Sequence, residues 1–226
     1  MSTFVSRPAA SVKAGILFQE GGGMGAAGTS RRGGWWGVAF VVTLLVAAAM
    51  VSLPTSGQSG GQIAGFYRAH AAVILVQQVL GVLSVAFFLA FARALGARQR
   101  RWLLVGAALV ALTELATNIV PAILALTNPT VSEAYALTVV EDLADAALFM
   151  SVAVFSVAAT IDQIGWVQVC GLVVAAVSVI RAAASPFGVT ALDILAPVAF
   201  VALILVLSIR LLMGRTRGTQ TRTANL

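Results

Sequence analysis

The sequence predicts an all-α fold, a polytopic membrane helical bundle with six transmembrane helices, and three observations carry that prediction. Of 226 residues 60% are hydrophobic and 10% charged, with a mean hydropathy of +0.99, whereas soluble domains carry roughly 25% charged residues. Six apolar segments each reach about 20 residues, the length a helix needs to cross the hydrocarbon core. Twelve of the fourteen basic residues fall on one side of the six-span assignment, which is how a membrane protein marks its cytoplasmic side.

Taken in order, residues 1–33 contain "GGGMGAAGTS", which follows no strand, fits no phosphate-binding pattern and lacks the apolar core of a signal peptide. They read as a disordered cytoplasmic tail. Span one covers 34–53, from "WWGVAFVVTLLVAAAMV", and leads into "SLPTSGQSGGQIAG", an uncharged connector rich in turn residues. Span two, 67–92, and span three, 102–126, are separated by Arg93, Arg98, Arg100 and Arg101. Spans four, 135–160, and five, 164–184, are divided only by "IDQ". A single helix of about 50 residues would overshoot the bilayer, so a tight turn is expected near Asp162. Span six covers 190–213, and a basic cytoplasmic tail, 214–226, completes the chain.

Arg7, Lys13, Arg31 and Arg32 precede span one, and Arg210, Arg215, Arg217 and Arg222 accompany the end of span six. The positive-inside rule then places both termini in the cytoplasm (N-in, C-in), which fits a bacterial cytoplasmic membrane protein. Trp35, Trp36, Trp102 and Trp166 all fall near the inner boundaries, where an aromatic belt belongs. The net charge of +6 is spread in short clusters between apolar runs, so the expected partner is the lipid bilayer and not nucleic acid. With one cysteine, Cys170, and one histidine, His70, the chain has no intrachain disulfide and no set of ligands for zinc or bis-histidine haem. Its only lysine, Lys13, lies outside every span, which removes a retinal Schiff base. No metal or cofactor is expected.

The contrast within the spans lies in their polar residues. "TVVEDLADAALFM", residues 138–150, holds three of the eight acidic residues. At 100° per residue Glu141, Asp142 and Asp145 share one helix face. Glu114, Thr117, Asn118 and Pro121 form a comparable stripe on span three; His70, Gln77, Gly81 and Ser84 do so on span two, and Ser178, Arg181 and Ser185 on span five. Asp193 and Pro197 are one turn apart on span six. Such stripes must face the bundle interior or a wet cavity, because an ionisable group turned to lipid costs several kcal/mol. Counting from the nearest span edge places Gln77, Glu114 and Asp145 about 15–18 Å deep, close to the midplane. Glu141, Asp142 and Asn118 then fall in the outer half, and Arg68, His70, Arg181 and Asp193 near the outer mouth. Arg68 and Arg181, the two arginines outside the inner clusters, are expected to pair with the acids, and the ten residues together to line a polar pocket open to the outside. Pro121 and Pro197 are candidate kinks.

The stretch "FYRAHAAVILVQQVLGVLSVAFFLAFARAL", with its polar start and arginine exit, followed by acid-containing third and fourth spans, resembles uncharacterised six-helix integral membrane proteins of actinobacteria. That resemblance covers 34–213, is one of organisation and composition, and implies no activity and no functional residue. Three function classes stay open. The first is a small transporter or ligand-binding membrane protein for a polar or cationic solute, with Glu114 and Asp145 suited to exchanging protons. The second is an intramembrane lipid-modifying enzyme, with Glu141, Asp142 or His70 as acid or base and Arg68 or Arg181 holding a headgroup; the spans carry no HExxH or GxSxG motif. The third is a structural or regulatory subunit whose stripes dock on a membrane partner or on a second copy of the chain.

Overall fold

The computed structural model describes residues 23–95, 100–185 and 192–213. Of the tails expected at 1–33 and 214–226, residues 1–22 and all of 214–226 lie outside them. Six helices follow one another: α1 (Gly23–Met50), α2 (Gly60–Ala94), α3 (Arg100–Thr127), α4 (Val131–Thr160), α5 (Gly165–Ala184) and α6 (Leu195–Leu212). All six contain stretches long and apolar enough to cross a membrane, and the described residues form no strand. Each helix satisfies its own backbone, which is why a helix can sit in lipid where an irregular segment cannot.

Local chemistry sets the helix ends. The Ser59 side chain accepts from the Gln62 N–H at 3.4 Å while Gln62 Oε1 accepts from the Ser59 N–H at 3.1 Å. This reciprocal capping box starts α2 at Gly60, seven residues ahead of the hydropathy edge. Thr130 and Glu133 repeat the arrangement, with the Thr130 N–H donating to Glu133 Oε2 at 2.9 Å, and start α4 at Val131. Asn128, at a φ of 49°, makes the left-handed corner between α3 and α4, a conformation that asparagine tolerates better than most residues. The turn expected near Asp162 is present: the Gln163 N–H donates to the Thr160 carbonyl at 2.9 Å. α1 starts at Gly23, inside the segment expected to be a disordered tail. Pro197 falls on the third residue of α6, in the first turn, where no intrahelical N–H bond is lost; the kink expected there has no cause.

The helices close a ring, each packing on its chain neighbours and α1 on α6, while α4 also reaches α2 and α6. Phe40, Phe88, Phe155 and Phe200, from α1, α2, α4 and α6, meet at the centre, with ring centroids 4.9 to 6.2 Å apart. Offset and edge-to-face contacts of this kind stabilise beyond area alone. Outward faces carry Val79, Leu112, Leu126 and Leu143, all well exposed, as surfaces in contact with lipid tails should be. The four tryptophans lie toward the end where α1 begins and α6 finishes, called here the terminal face, Trp36 stacking on Phe87 at 5.7 Å.

Helix length is uneven, and that decides where the polar residues sit. The apolar part of α1 (Arg31–Met50), α5 and α6 have 20, 20 and 18 residues, about 27–30 Å of helix, which matches one hydrocarbon core. α2, α3 and α4 have 35, 28 and 30 residues and run about 42–53 Å. They project beyond the short helices at the face opposite the termini, where residues 51–59 climb alongside them. Val51 and Leu53 of this strap pack on Ile63, Tyr67, Ile74, Leu124 and Ala134, a second apolar core belonging to the projecting part.

The antiparallel contact between α4 and α5 depends on Gly171, which is buried; a Cβ there would collide with the Thr160 side chain, itself hydrogen-bonded to the Ser156 carbonyl at 2.7 Å. Gly165, on the same helix, has open space around it. Thermal unfolding in detergent should therefore show Gly171→Val destabilised by about 1–3 kcal/mol and Gly165→Ala at the wild-type midpoint. Equal midpoints for the two variants would disprove this packing.

Candidate functional site

Arg181 occupies the last turn of α5, and because α5 is short its guanidinium arrives at the middle of α4. Nη2 donates to Asp145 Oδ2 at 2.8 Å, and Nε lies 2.9 Å from Asp193 Oδ1 at the entry to α6, an ion contact without hydrogen-bond alignment. The guanidinium also lies over the Phe149 ring, 4.9 Å from its centroid, where the ring quadrupole attracts a cation. One side chain thus ties α4, α5 and α6 at a single height.

The other acids are held differently. The Tyr67 hydroxyl, on a fully buried ring, donates to Glu141 Oε2 at 3.3 Å. The Ser56 N–H of the strap donates to Asp142 Oδ2 at 3.0 Å. Both carboxyls therefore rest on uncharged donors and anchor the projecting part. Glu114, half-way along α3, has no basic partner among the described residues. Its carbonyl accepts from Asn118 Nδ2 at 2.6 Å and from Thr117 Oγ1 at 2.8 Å. Asn118 is buried with its carboxamide against Gly81 of α2, where a Cβ would overlap it. Gln77 donates to the Val51 carbonyl at 3.1 Å, and its Oε1 is buried without a partner.

Below this polar layer, within the six-helix part, lies a cavity of about 200 Å³. Glu114 and Asp145 are the two ionisable residues among the thirteen that line it; the remainder include Phe40, Leu44, Phe88, Phe149, Val152 and Phe200. The two carboxyls are close enough to interact electrostatically. What the structure presents is an apolar cavity with acids at one end, a different object from the polar chamber expected.

Of the ten expected site residues, Glu114 and Asp145 reach the cavity, Arg181 joins them through Asp145, and Asp193 joins through Arg181. Glu141, Asp142, Asn118 and Gln77 are structural partners around the same level. Arg68 and His70 do not join. Both are exposed; Arg68 Nε donates to the Ala64 carbonyl at 3.3 Å, and His70 lies 3.0 Å from the Phe66 carbonyl and stacks on the Phe66 ring. The expected Arg68 pairing fails because Tyr67, one residue earlier, takes the buried face that reaches Glu141, and Arg68, turned about 100° from it, is exposed. The depth expectation is corrected likewise: Arg181 and Asp193, expected at the mouth, lie level with Asp145, expected at the midplane. Depth counted from span edges assumes helices of equal height. Tyr67, Ser56, Phe149 and the cavity phenylalanines were not foreseen; the S-x-x-Q cap at Ser59, which places Tyr67 two turns into α2, is the signal that could have found the first.

Comparison with protein-family models, with curated proteins and with solved structures gave no match.

Removing the guanidinium leaves two carboxylates facing each other. Breaking a fully buried pair costs 3–5 kcal/mol, and the loss here should be smaller, about 2 kcal/mol, because Asp145 and Asp193 side chains keep 34% and 42% exposure. Arg181→Met should therefore lower unfolding stability by about that amount, and adding Asp145→Asn should recover part of it. Arg68→Met should stay within about 0.5 kcal/mol of wild type. Denaturant titration of the four proteins in lipid nanodiscs checks the ranking, and an Arg68→Met loss equal to that of Arg181→Met overturns it.

Proposed function

We propose that this multi-pass membrane protein binds a small amphipathic amine, the ammonium at Glu114 and Asp145 and the apolar body in the cavity between Phe40, Phe88, Phe149 and Phe200. The observation that carries this reading is Glu114: a carboxyl bonded by Asn118 but without a basic partner among the described residues, on the wall of a cavity that is apolar apart from it and Asp145. An ammonium there gains a charge-assisted hydrogen bond and ring faces that attract cations. Volume limits the ligand. An apolar cavity of about 150 Å³ accommodates benzene, so about 200 Å³ suits an aryl or branched alkyl amine of similar bulk.

Two features favour movement of the amine across a bacterial cytoplasmic membrane as the second reading. The acids sit at the height where α1, α5 and α6 stop, so the strap, and not a full ring of helices, covers that end. The basic clusters favour an orientation with both termini in the cytoplasm and the acid end outward. The lipid-modifying reading draws no support from His70 and Arg68, which stand apart from the acids, and the cavity is lined by no Ser, Thr, Cys, His or Lys.

Titration calorimetry of the protein in phosphatidylcholine nanodiscs should show saturable binding of benzylamine or isopentylamine and much weaker binding of benzyl alcohol. Glu114→Gln should weaken amine binding at least about tenfold, the value of a hydrogen bond to a charged group, with its unfolding midpoint retained. Binding that ignores the amine, or survives Glu114→Gln unchanged, rejects the proposal. Amine uptake into proteoliposomes, abolished by the same substitution, separates transport from binding alone.

A further inference from the structure

A second cleft lies at the terminal face, far from the acids. It has a volume of about 310 Å³ and is formed by the last turns of α2 and the first turns of α3. Ala92 and Ala107, each 1% exposed, make its floor, and Leu89 and Leu104, each 37% exposed, its lipid-facing sides. Arg93 and Arg100 complete the lining; both are exposed, and among the described residues neither has a carboxylate or hydrogen-bond partner. Trp102, 63% exposed, stands two residues beyond Arg100. An exposed indole at a helix end marks the headgroup level.

We infer that this cleft binds an anionic phospholipid, its phosphate on Arg93 and Arg100 and an acyl chain along Leu89 and Leu104. Guanidinium forks match phosphate oxygens in pairs, and basic pockets between transmembrane helices are recurrent sites for anionic headgroups. Free inorganic phosphate suits the cleft poorly, because the four residues other than the arginines offer no polar side chain. A phospholipid satisfies both halves of the lining. The site is independent of the amine cavity.

Native mass spectrometry of the full chain in mild detergent, titrated with phosphatidylglycerol and separately with phosphatidylcholine, tests it. Wild type should retain phosphatidylglycerol selectively, and Arg93→Gln/Arg100→Gln should retain roughly thirtyfold less, following the contribution of two interfacial arginines. Arg31→Gln/Arg32→Gln removes the same charge at the same face outside the cleft and should retain wild-type binding. Leu104→Trp, which fills the cleft and keeps both arginines, should also lose lipid. Equal loss in the two double variants, full retention in Leu104→Trp, or displacement of the lipid by millimolar inorganic phosphate would each overturn the inference.

Discussion

Arg181 is the point at which helix length, charge and cavity meet. Ionised groups in hydrocarbon persist when paired, and this guanidinium, touching Asp145, Asp193 and the Phe149 ring, is paired on three sides. It can reach Asp145 only because α5 ends near the middle of α4. Shift α5 by one turn, about 5.4 Å, and the aspartates face each other without a cation. The short helices therefore set more than the thickness of the membrane part: they fix the height at which polar chemistry is tolerated, and the long helices carry the remaining acids above it.

Four intramembrane carboxyls find four different surroundings. Asp145 takes a guanidinium, Asp142 a strap N–H and Glu141 a tyrosine hydroxyl. In those three the partner comes from another segment, so the acid serves as a tie between elements, the interhelical role polar residues commonly have in bundles. Glu114 differs. Asn118 and Thr117 engage its carbonyl, the Asn118 side chain of the same helix also bonds its carboxyl, and that carboxyl lines the cavity. Glu114 is tied to no other segment, and its carboxyl faces the cavity.

The number and type of helices were legible because hydrophobicity sustained over about 20 residues has few other meanings, and the Asp162 turn followed from length alone. Ends were less legible. The caps at Ser59 and Thr130 are written in the sequence as S-x-x-Q and T-x-x-E, but hydropathy windows pass over them, and seven residues were missed at the start of α2. Polar stripes identified the acids of α3 and α4 because a carboxyl among alanines and leucines stands out. Phe40, Phe88 and Phe200 could not be identified this way: an aromatic residue in an apolar helix reads the same whether it faces lipid, core or cavity. Which end of a helix meets which neighbour is a property of packing, and no local pattern contains it.

The lining also discriminates among cations. An inorganic ion entering this cavity would exchange its hydration for two carboxyls, one already bound to Arg181, and eleven apolar side chains. Calcium needs six to eight oxygens and magnesium about six, and no group of three or more potential metal ligands occurs among the described residues. An organic ammonium meets the opposite balance. Each methylene it buries contributes about 0.8 kcal/mol, so five or six carbons supply roughly 4 kcal/mol before any charge contact. Glu114 then has to replace only the hydration of a single ammonium, helped by ring faces that water does not offer. In the proposed binding, apolar volume supplies the affinity and one carboxyl the orientation, and a hydrophilic solute of the same charge gains only the second.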